Sequence, residues 1–345
     1  MKKILKIFLM LIFLAVMITG YFIYSKIFLP PKGDFTKEPI EVKIKPGFSL
    51  RIIADTLESK GLIKNKEDFI LANKLFRNVN RLKAGRYNIK KGLSVYDVMN
   101  IIVEGKTSNI KVVIQEGLIS TQIASILAKK VEIDSTKFIK LLSDTSIINQ
   151  FKLRSNSLEG YLFPNTYFFH WGITEKEIIK ILLKEFNRNF SDSLKAIATD
   201  KGWKVGQILT LASIIEGEAL IDSERAVISS VYHNRLQKGM LLQADPTIQY
   251  IIPDGPRRLL NKDLAIDSPY NTYIYPGLPP GPVNNPGKIS IVAAISPVKT
   301  DYLYFVAKGD GSHIFSKTLS QHLRAKKDFD AYRRKIKRQQ RLNNR

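Results

Sequence analysis

Hydrophobic and polar positions along the 345 residues follow several distinct patterns. The first is continuous: from Ile7 to Tyr24 no charge interrupts the apolar run, and Lys2, Lys3 and Lys6 stand ahead of it. That run is long enough for a helix to cross the hydrocarbon core of a bilayer. No A-x-A-like site follows it, which separates it from a cleaved signal peptide. The lysines keep the amino terminus in the cytoplasm, so the rest of the chain is expected on the outer or periplasmic face of the plasma (inner) membrane. The anchor is expected over residues 1–30 and a polar, proline-containing linker over 31–40.

The next pattern is repeated. EVKIKPGFSLRIIADTLESKGLI, from Glu41, aligns with KVVIQEGLISTQIASILAKKVEI, from Lys111, at a spacing of 70 residues. Ile44 falls on Ile114, Gly47 on Gly117, Ile53 on Ile123, Ala54 on Ala124 and Leu57 on Leu127. Each copy alternates as a short strand, turns at glycine, and continues with helical i, i+3, i+4 spacing, with a second helix through Phe69 or Phe138. AGRYNIKKGLSVYDVMNII adds a returning strand and a further helix to the first copy. IKPGFSLRIIADTL resembles a LysM-like module, a resemblance that implies either binding of N-acetylglucosamine-containing glycans or a structural adaptor. The LysM-like region with its repeat is expected over 41–150.

From about residue 155 to 330 the periods mix. Helix is expected over Gln207–Leu236 and Ile289–Ser296, and the hairpin YLYFVAKGDGSHIFSK turns at Gly309-Asp310-Gly311. Strands and helices do not alternate as βαβ units. The predicted class is therefore α+β: an N-terminal transmembrane helix, a LysM-like α/β region and a mixed α+β catalytic domain. A basic tail, 331–345, is expected as a solvated helix end or extension.

Composition narrows the function. A net charge of +23 favours a polyanionic neighbour. The anchor turns that preference from nucleic acid towards lipid head groups and an anionic cell wall. The chain has no cysteine, which excludes disulfides and thiolate metal sites, and its four histidines lack H-x-x-x-H spacing. No metal and no cofactor are expected.

The candidate chemistry lies in LASIIEGEALIDSERA, residues 211–226. Helical spacing puts Glu216 in an apolar stripe with Leu209, Ala212, Leu220 and Val227. Glu218 points elsewhere, with Glu224 and Arg225 as solvent-side neighbours. A carboxylate in such a stripe either belongs to a buried ion pair or does chemistry. LLQADPTIQY (241–250) and SPYNTYIYPGLPPGPVNNPG (268–287) flank it in sequence. The second is too rich in proline and glycine for regular structure, and its Tyr and Asn side chains suit sugar rings and hydroxyls.

Taken with EGYLFPNTY at 159–167 and the carboxy-terminal GSHIFSKTLSQH, these motifs resemble the endolytic murein transglycosylases, the YceG-like, MltG-type family. The resemblance implies a peptidoglycan lytic transglycosylase that cuts the MurNAc-GlcNAc bond of nascent glycan strands and leaves a 1,6-anhydro-MurNAc end. It implies Glu216 as the general acid/base, with Glu218 as the second Glu of the motif and Gly217 where relatives often carry Lys. Motif position and side-chain chemistry make Gln243, Asp245, Asn271, Tyr273, Glu159 and Glu218 the candidate substrate contacts. Desolvation against Leu209, Ala212 and Leu220 would disfavour the Glu216 anion and keep a proton available. Expected partners are glycan strands, the plasma membrane and cell-wall synthases, not nucleic acid. Two alternatives stay open: a muramidase-type hydrolase, if the fold brings Glu159 or Asp245 to Glu216, and a non-catalytic wall-binding scaffold.

Overall fold

The computed structural model describes residues 2–33, 38–105, 109–151, 153, 155–253 and 255–343. Part of the expected linker and the end of the basic tail lie outside the described residues. The chain divides into two compact units, residues 1–111 with 168–173, and residues 112–167 with 174–345.

In the first unit α1 (Lys2–Phe28) is apolar from Ile4 to Phe28, with a mean hydropathy of 2.4, and is long enough to cross a membrane. Then come β1 (Ile40–Ile44), α2 (Leu50–Ser59), α3 (Lys66–Leu75), β2 (Gly85–Ile89) and α4 (Val95–Glu104). β1 and β2 pair antiparallel, from Ile40 opposite Ile89 to Ile44 opposite Gly85. Their inward residues, Val42, Ile44, Tyr87 and Ile89, meet Ile53, Leu57, Phe69, Val98 and Ile102 in one buried core. The Ser49 hydroxyl caps α2, and Ser94 and Asp97 form a reciprocal capping box at the start of α4. The end of α1 joins the same core through Ile27, while Phe28 packs on Tyr96 with ring centroids 4.8 Å apart.

The second copy follows the same order: β3 (Ile110–Ile114), α5 (Ser120–Val131), α6 (Ser135–Leu141), an additional short α7 (Thr145–Gln150), β4 (Asn165–Phe169) and α8 (Glu175–Asn189). β3 pairs with β4. Gly117 repeats the left-handed backbone of Gly47, with φ of 76° against 84°, a conformation glycine adopts without a Cβ penalty. Most of the second copy, residues 112–167, groups with the residues from 174 onwards. The second copy belongs to the second unit because its turn is hydrogen-bonded there: Gly117 N–H donates to the Asn285 carbonyl and Asn285 N–H to the Leu118 carbonyl, each at 3.0 Å.

The second unit continues with α9 (Asp192–Asp200), α10 (Val205–Glu218), α11 (Arg225–Gln237), α12 (Asp245–Ile251), α13 (Lys288–Ile295), the hairpin β5 (Tyr304–Ala307) with β6 (His313–Ser316), and α14 (Leu319–Asn343). α10 is buried on all sides from Ile208 to Ile215, packed among α9, α11, α12 and α13. The hairpin turns at Gly309 and Gly311, both at positive φ, with Tyr304 opposite Ser316.

The single helix expected over Gln207–Leu236 is broken. α10 ends at Glu218, Ala219 is extended, and a 3-10 turn over Asp222–Glu224 leads into α11. Leu220 therefore leaves the stripe and is 81% exposed. Side chains tie the turn to other segments: Asp222 accepts from Arg225 Nε, Glu224 accepts the His313 N–H, and the His313 ring Nδ1 lies 2.7 Å from Glu224.

The division at residue 111 predicts separate responses to equivalent core truncations. Leu57 and Leu127 are each fully buried, and each Leu→Ala change should cost about 2–5 kcal/mol. Limited proteolysis of Leu57→Ala should speed cleavage within residues 40–105 and spare the second unit, and Leu127→Ala should do the reverse. Loss of both units in either variant would contradict the division.

Candidate active site

Glu216 lies in the last turn of α10 with its side chain 5% exposed. One carboxylate oxygen lies 2.9 Å from Arg225 Nη1, and the other accepts the Gly287 N–H at 2.9 Å. The break after α10 brings Arg225, the first residue of α11, back onto Glu216. The guanidinium is buried; it donates from Nε to Asp222 at 2.9 Å and from Nη1 to the Ser290 hydroxyl at 2.5 Å, with Nη2 3.9 Å from Glu116. Glu116 belongs to the turn between β3 and α5, half-exposed beside a concavity of about 530 Å³ that Gln115, Asn165 and Thr166 also line. Its carboxylate lies against Gly287, where a Cβ would come within 1.9 Å of it, so a side chain there would push Glu116 aside. Burial, then the charges of Glu216 and Asp222, raise the Glu116 pKa against the opposing pull of Arg225.

The expected setting of Glu216 is thereby corrected. Leu209 and Ala212 are buried in α10 as expected, but Leu220 is past the helix end, and polar donors meet the carboxylate. Arg225, read from periodicity as a solvent-side neighbour of Glu218, is the ion-pair partner of Glu216.

Glu218 is not turned to solvent. It accepts the Tyr232 hydroxyl at 3.0 Å and the backbone N–H of Asp245, and burial, with the nearby Asp245 charge, pushes its pKa up to about 7. Asp245 is exposed at the start of α12 and accepts the Tyr273 hydroxyl at 2.5 Å. Gln243, exposed, holds a left-handed φ of 50° while its N–H donates to the Thr272 carbonyl; its side chain lies 3.4 Å from Arg235 Nη1. A non-glycine residue in that region is a common mark of functional loops. Four of the expected contacts thus occur together, Glu218 at the end of α10 and Gln243, Asp245 and Tyr273 on or beside α12. At Gly217 a Cβ would lie 2.7 Å from the Pro246 ring, so α12 packs closely on α10 in this chain.

Glu159 and Asn271 are placed otherwise. Glu159 is buried, accepting the Ser120 N–H at 3.1 Å and the Asn285 amide at 2.8 Å, and burial pushes its pKa up to about 7. It ties α5 to the 268–287 loop. Asn271 is fully buried; its amide donates to the Leu264 and Ile266 carbonyls and its oxygen accepts the Tyr273 N–H. Both side chains are buried and hydrogen-bonded within the protein. The His313 ring lies 2.7 Å from the Glu224 carboxylate. Sequence reasoning missed Glu116, Ser290 and Asn284, whose amide donates to the Ser213 carbonyl at 2.8 Å. The signal for Glu116 was in the repeat, where the first copy carries Pro46 at the matching position.

These carboxyls predict a pH dependence of stability. Glu159 and Glu218, at about 7 folded against an ordinary 4.5, bind protons more tightly in the folded state. Their contribution is complete below about pH 4.5 and is lost as pH rises through about 7. The thermal midpoint should fall between pH 5 and pH 8, and Glu218→Gln should reduce that fall; an equal fall in the variant would contradict the assignment.

The family model described as YceG-like matches residues 42–328. An endolytic murein transglycosylase of Bacillus subtilis (strain 168) is 37% identical over 328 residues, covering 90% of this chain and 91% of the relative. A second, from Streptococcus pneumoniae serotype 2, is 32% identical over 331 residues, covering 86% of this chain and 60% of that longer relative. The crystal structure of a YceG-like protein from Listeria monocytogenes is similar at a TM-score of 0.60 and 36% identity, covering 84% of this chain and 99% of that one. By sequence along most of its length, and by fold, the chain belongs to the YceG-like family.

Proposed function

We propose that this protein is a membrane-anchored endolytic lytic transglycosylase that cuts the MurNAc-GlcNAc bond within peptidoglycan strands and leaves a 1,6-anhydro-MurNAc end. The names of the relatives support the substrate and reaction class. The single observation that carries the site is the Glu216 carboxyl, held from two directions by Arg225 and the Gly287 N–H at the end of the irregular loop.

Glu216 acts twice. Protonated, it donates to the glycosidic oxygen as the bond from the muramyl C1 breaks, and the leaving sugar departs with that proton as a hydroxyl. The carboxylate then takes the proton of the muramyl C6 hydroxyl as that oxygen bonds to C1, which closes the anhydro ring and restores the acid. No water and no enzyme nucleophile enter the balance. Arg225 and Gly287 fix the carboxylate orientation that the second half needs. Gln243, Asp245 and Tyr273 line the sugar subsite with donors and acceptors for N-acetyl and hydroxyl groups, and half-buried Glu218 and buried Arg235 hold them from behind.

α1 is the single-pass anchor, with Lys2, Lys3 and Lys6 in the cytoplasm and the LysM-like part and catalytic residues outside. Cleavage is then confined to glycan near the membrane, where new strands emerge.

Glu216→Gln keeps the shape but has one acceptor oxygen, so it can accept from Arg225 or from Gly287 and not from both; Arg225 retains Asp222 and Glu116, so the guanidinium is not left unpaired. The variant should lose at least about 100-fold in release of soluble fragments from purified murein while still sedimenting with it. Retained cleavage would remove Glu216 from its role, and a wild-type protein that binds without cleaving would make the chain a scaffold. Protease added to intact spheroplasts should digest the body; protection would reverse the orientation.

A further inference from the structure

A bond cut inside a strand has sugars on both sides of it, and the residues on and beside α12 hold only one side. Glu216 and Glu218, two residues apart at the end of α10, diverge by about 200° around the helix. Glu218 meets α12, where Gln243, Asp245 and Tyr273 stand. Glu216 meets the turn between β3 and α5, where a Cβ on Gly117 would lie 3.6 Å from Glu216 Cγ. Asn285 fastens that turn: it accepts the Gly117 N–H and donates its own N–H and its amide to the Leu118 carbonyl, each at 3.0 Å.

Beyond the turn lies the concavity of about 530 Å³, within the usual size range of ligand sites. Every residue that lines it belongs to the second unit. Val113 and Pro164 give it apolar surface, and Gln115, Glu116 and Thr166 add an amide, a carboxylate and a hydroxyl. The repeat shows which of these positions the fold itself needs. Inward residues match between the copies, Val42 with Val112 and Ile44 with Ile114, all buried. Outward residues do not: Lys43 and Lys45 of the first copy stand opposite Val113 and Gln115 of the second, and Val113 is 49% exposed. Strand alternation alone would place a polar residue at Val113. Exchanging two lysines for an apolar and an amide side chain also removes the charges that would draw an acidic group such as a stem-peptide carboxylate. What remains suits the apolar face and the hydroxyls of a neutral sugar.

We propose that this concavity is a second sugar subsite, which holds the glycan strand on the side of the cut bond away from Gln243, Asp245 and Tyr273. The strand then passes over the end of α10, with Glu216 at the bond between the two subsites. Cutting within a strand follows from that grip, because binding draws on chain to either side of the bond and not on a strand end.

The second subsite rests on Glu216 as the acid/base and is tested apart from it. Peptide-free glycan strands, sorted into short and long fractions, are titrated against full-length protein in detergent that carries Glu216→Gln, so that the strands stay intact. Long strands should bind more tightly than short ones. Adding Thr166→Trp, which fills the concavity from an exposed strand position, should weaken long-strand binding by about tenfold and shrink that preference. If this variant folds poorly by circular dichroism, Gln115→Ala with Thr166→Ala should act the same way by less. Equal binding of short and long strands, or a preference unmoved in a folded variant, would overturn the second subsite even with Glu216→Gln inactive. An effect confined to peptide-bearing strands would assign the concavity to the stem peptide and overturn it too. Cleavage of the strands by Glu216→Gln would overturn the acid/base reading, and with it the path drawn over α10.

Discussion

Arg225 is a buried cation, and a guanidinium is tolerated away from water only where carboxylates and lone pairs enclose it. Satisfying it requires segments far apart in sequence: Glu216 at the end of α10, Asp222 in the following turn, Ser290 in α13, and Glu116 in the turn after β3. The break between α10 and α11 follows from that requirement. A continuous helix would have carried Arg225 past Glu216, and the extended Ala219 with its 3-10 turn brings the guanidinium back. The same ion pair anchors the end of the 268–287 loop, because Gly287 N–H completes the coordination of Glu216.

Close approach is the second constraint. Gly287 admits the Glu116 carboxylate, Gly217 admits the Pro246 ring, and Gly160, at a φ of 86°, admits Pro282, where a Cβ would meet ring atoms at 2.5 Å. Each glycine removes a side chain where another segment must touch backbone. The loop is accordingly tied down by close contacts and hydrogen bonds although it lacks regular secondary structure. Its inward amides, Asn271, Asn284 and Asn285, bond protein carbonyls and leave Tyr273 and Asp245 on the rim.

Much of this architecture was legible in the chain. The 70-residue repeat, the glycine turns that open each copy, the Gly309-Asp310-Gly311 hairpin and the helix after the loop all follow from period and turn chemistry. Glu216 stood out because a carboxylate in an apolar helical stripe needs a reason. The break at Ala219 did not, since Leu220 and Val227 continue the helical period although Leu220 ends in solvent. Periodicity reports which residues would share a face of a helix, not whether the helix persists. Arg225 was misplaced for that reason. Asn271 and Glu159 mark a different limit: side-chain chemistry made them candidates, but composition carries no sign that both are buried and bonded within the protein. The pairing of Glu116 with Arg225 joins positions over a hundred residues apart and leaves no local pattern beyond the departure from Pro46.

The central claim is that one carboxyl, passing a single proton out and back, suffices for cleavage without water. Mass spectrometry of the soluble fragments released by the full-length protein from purified, unlabelled glycan strands tests it directly. Every new muramyl end should be a 1,6-anhydro sugar, lighter by one water than a reducing end, and digestion in H2(18)O should leave those ends unlabelled. New reducing MurNAc ends that carry oxygen from solvent would establish a hydrolase and contradict the account.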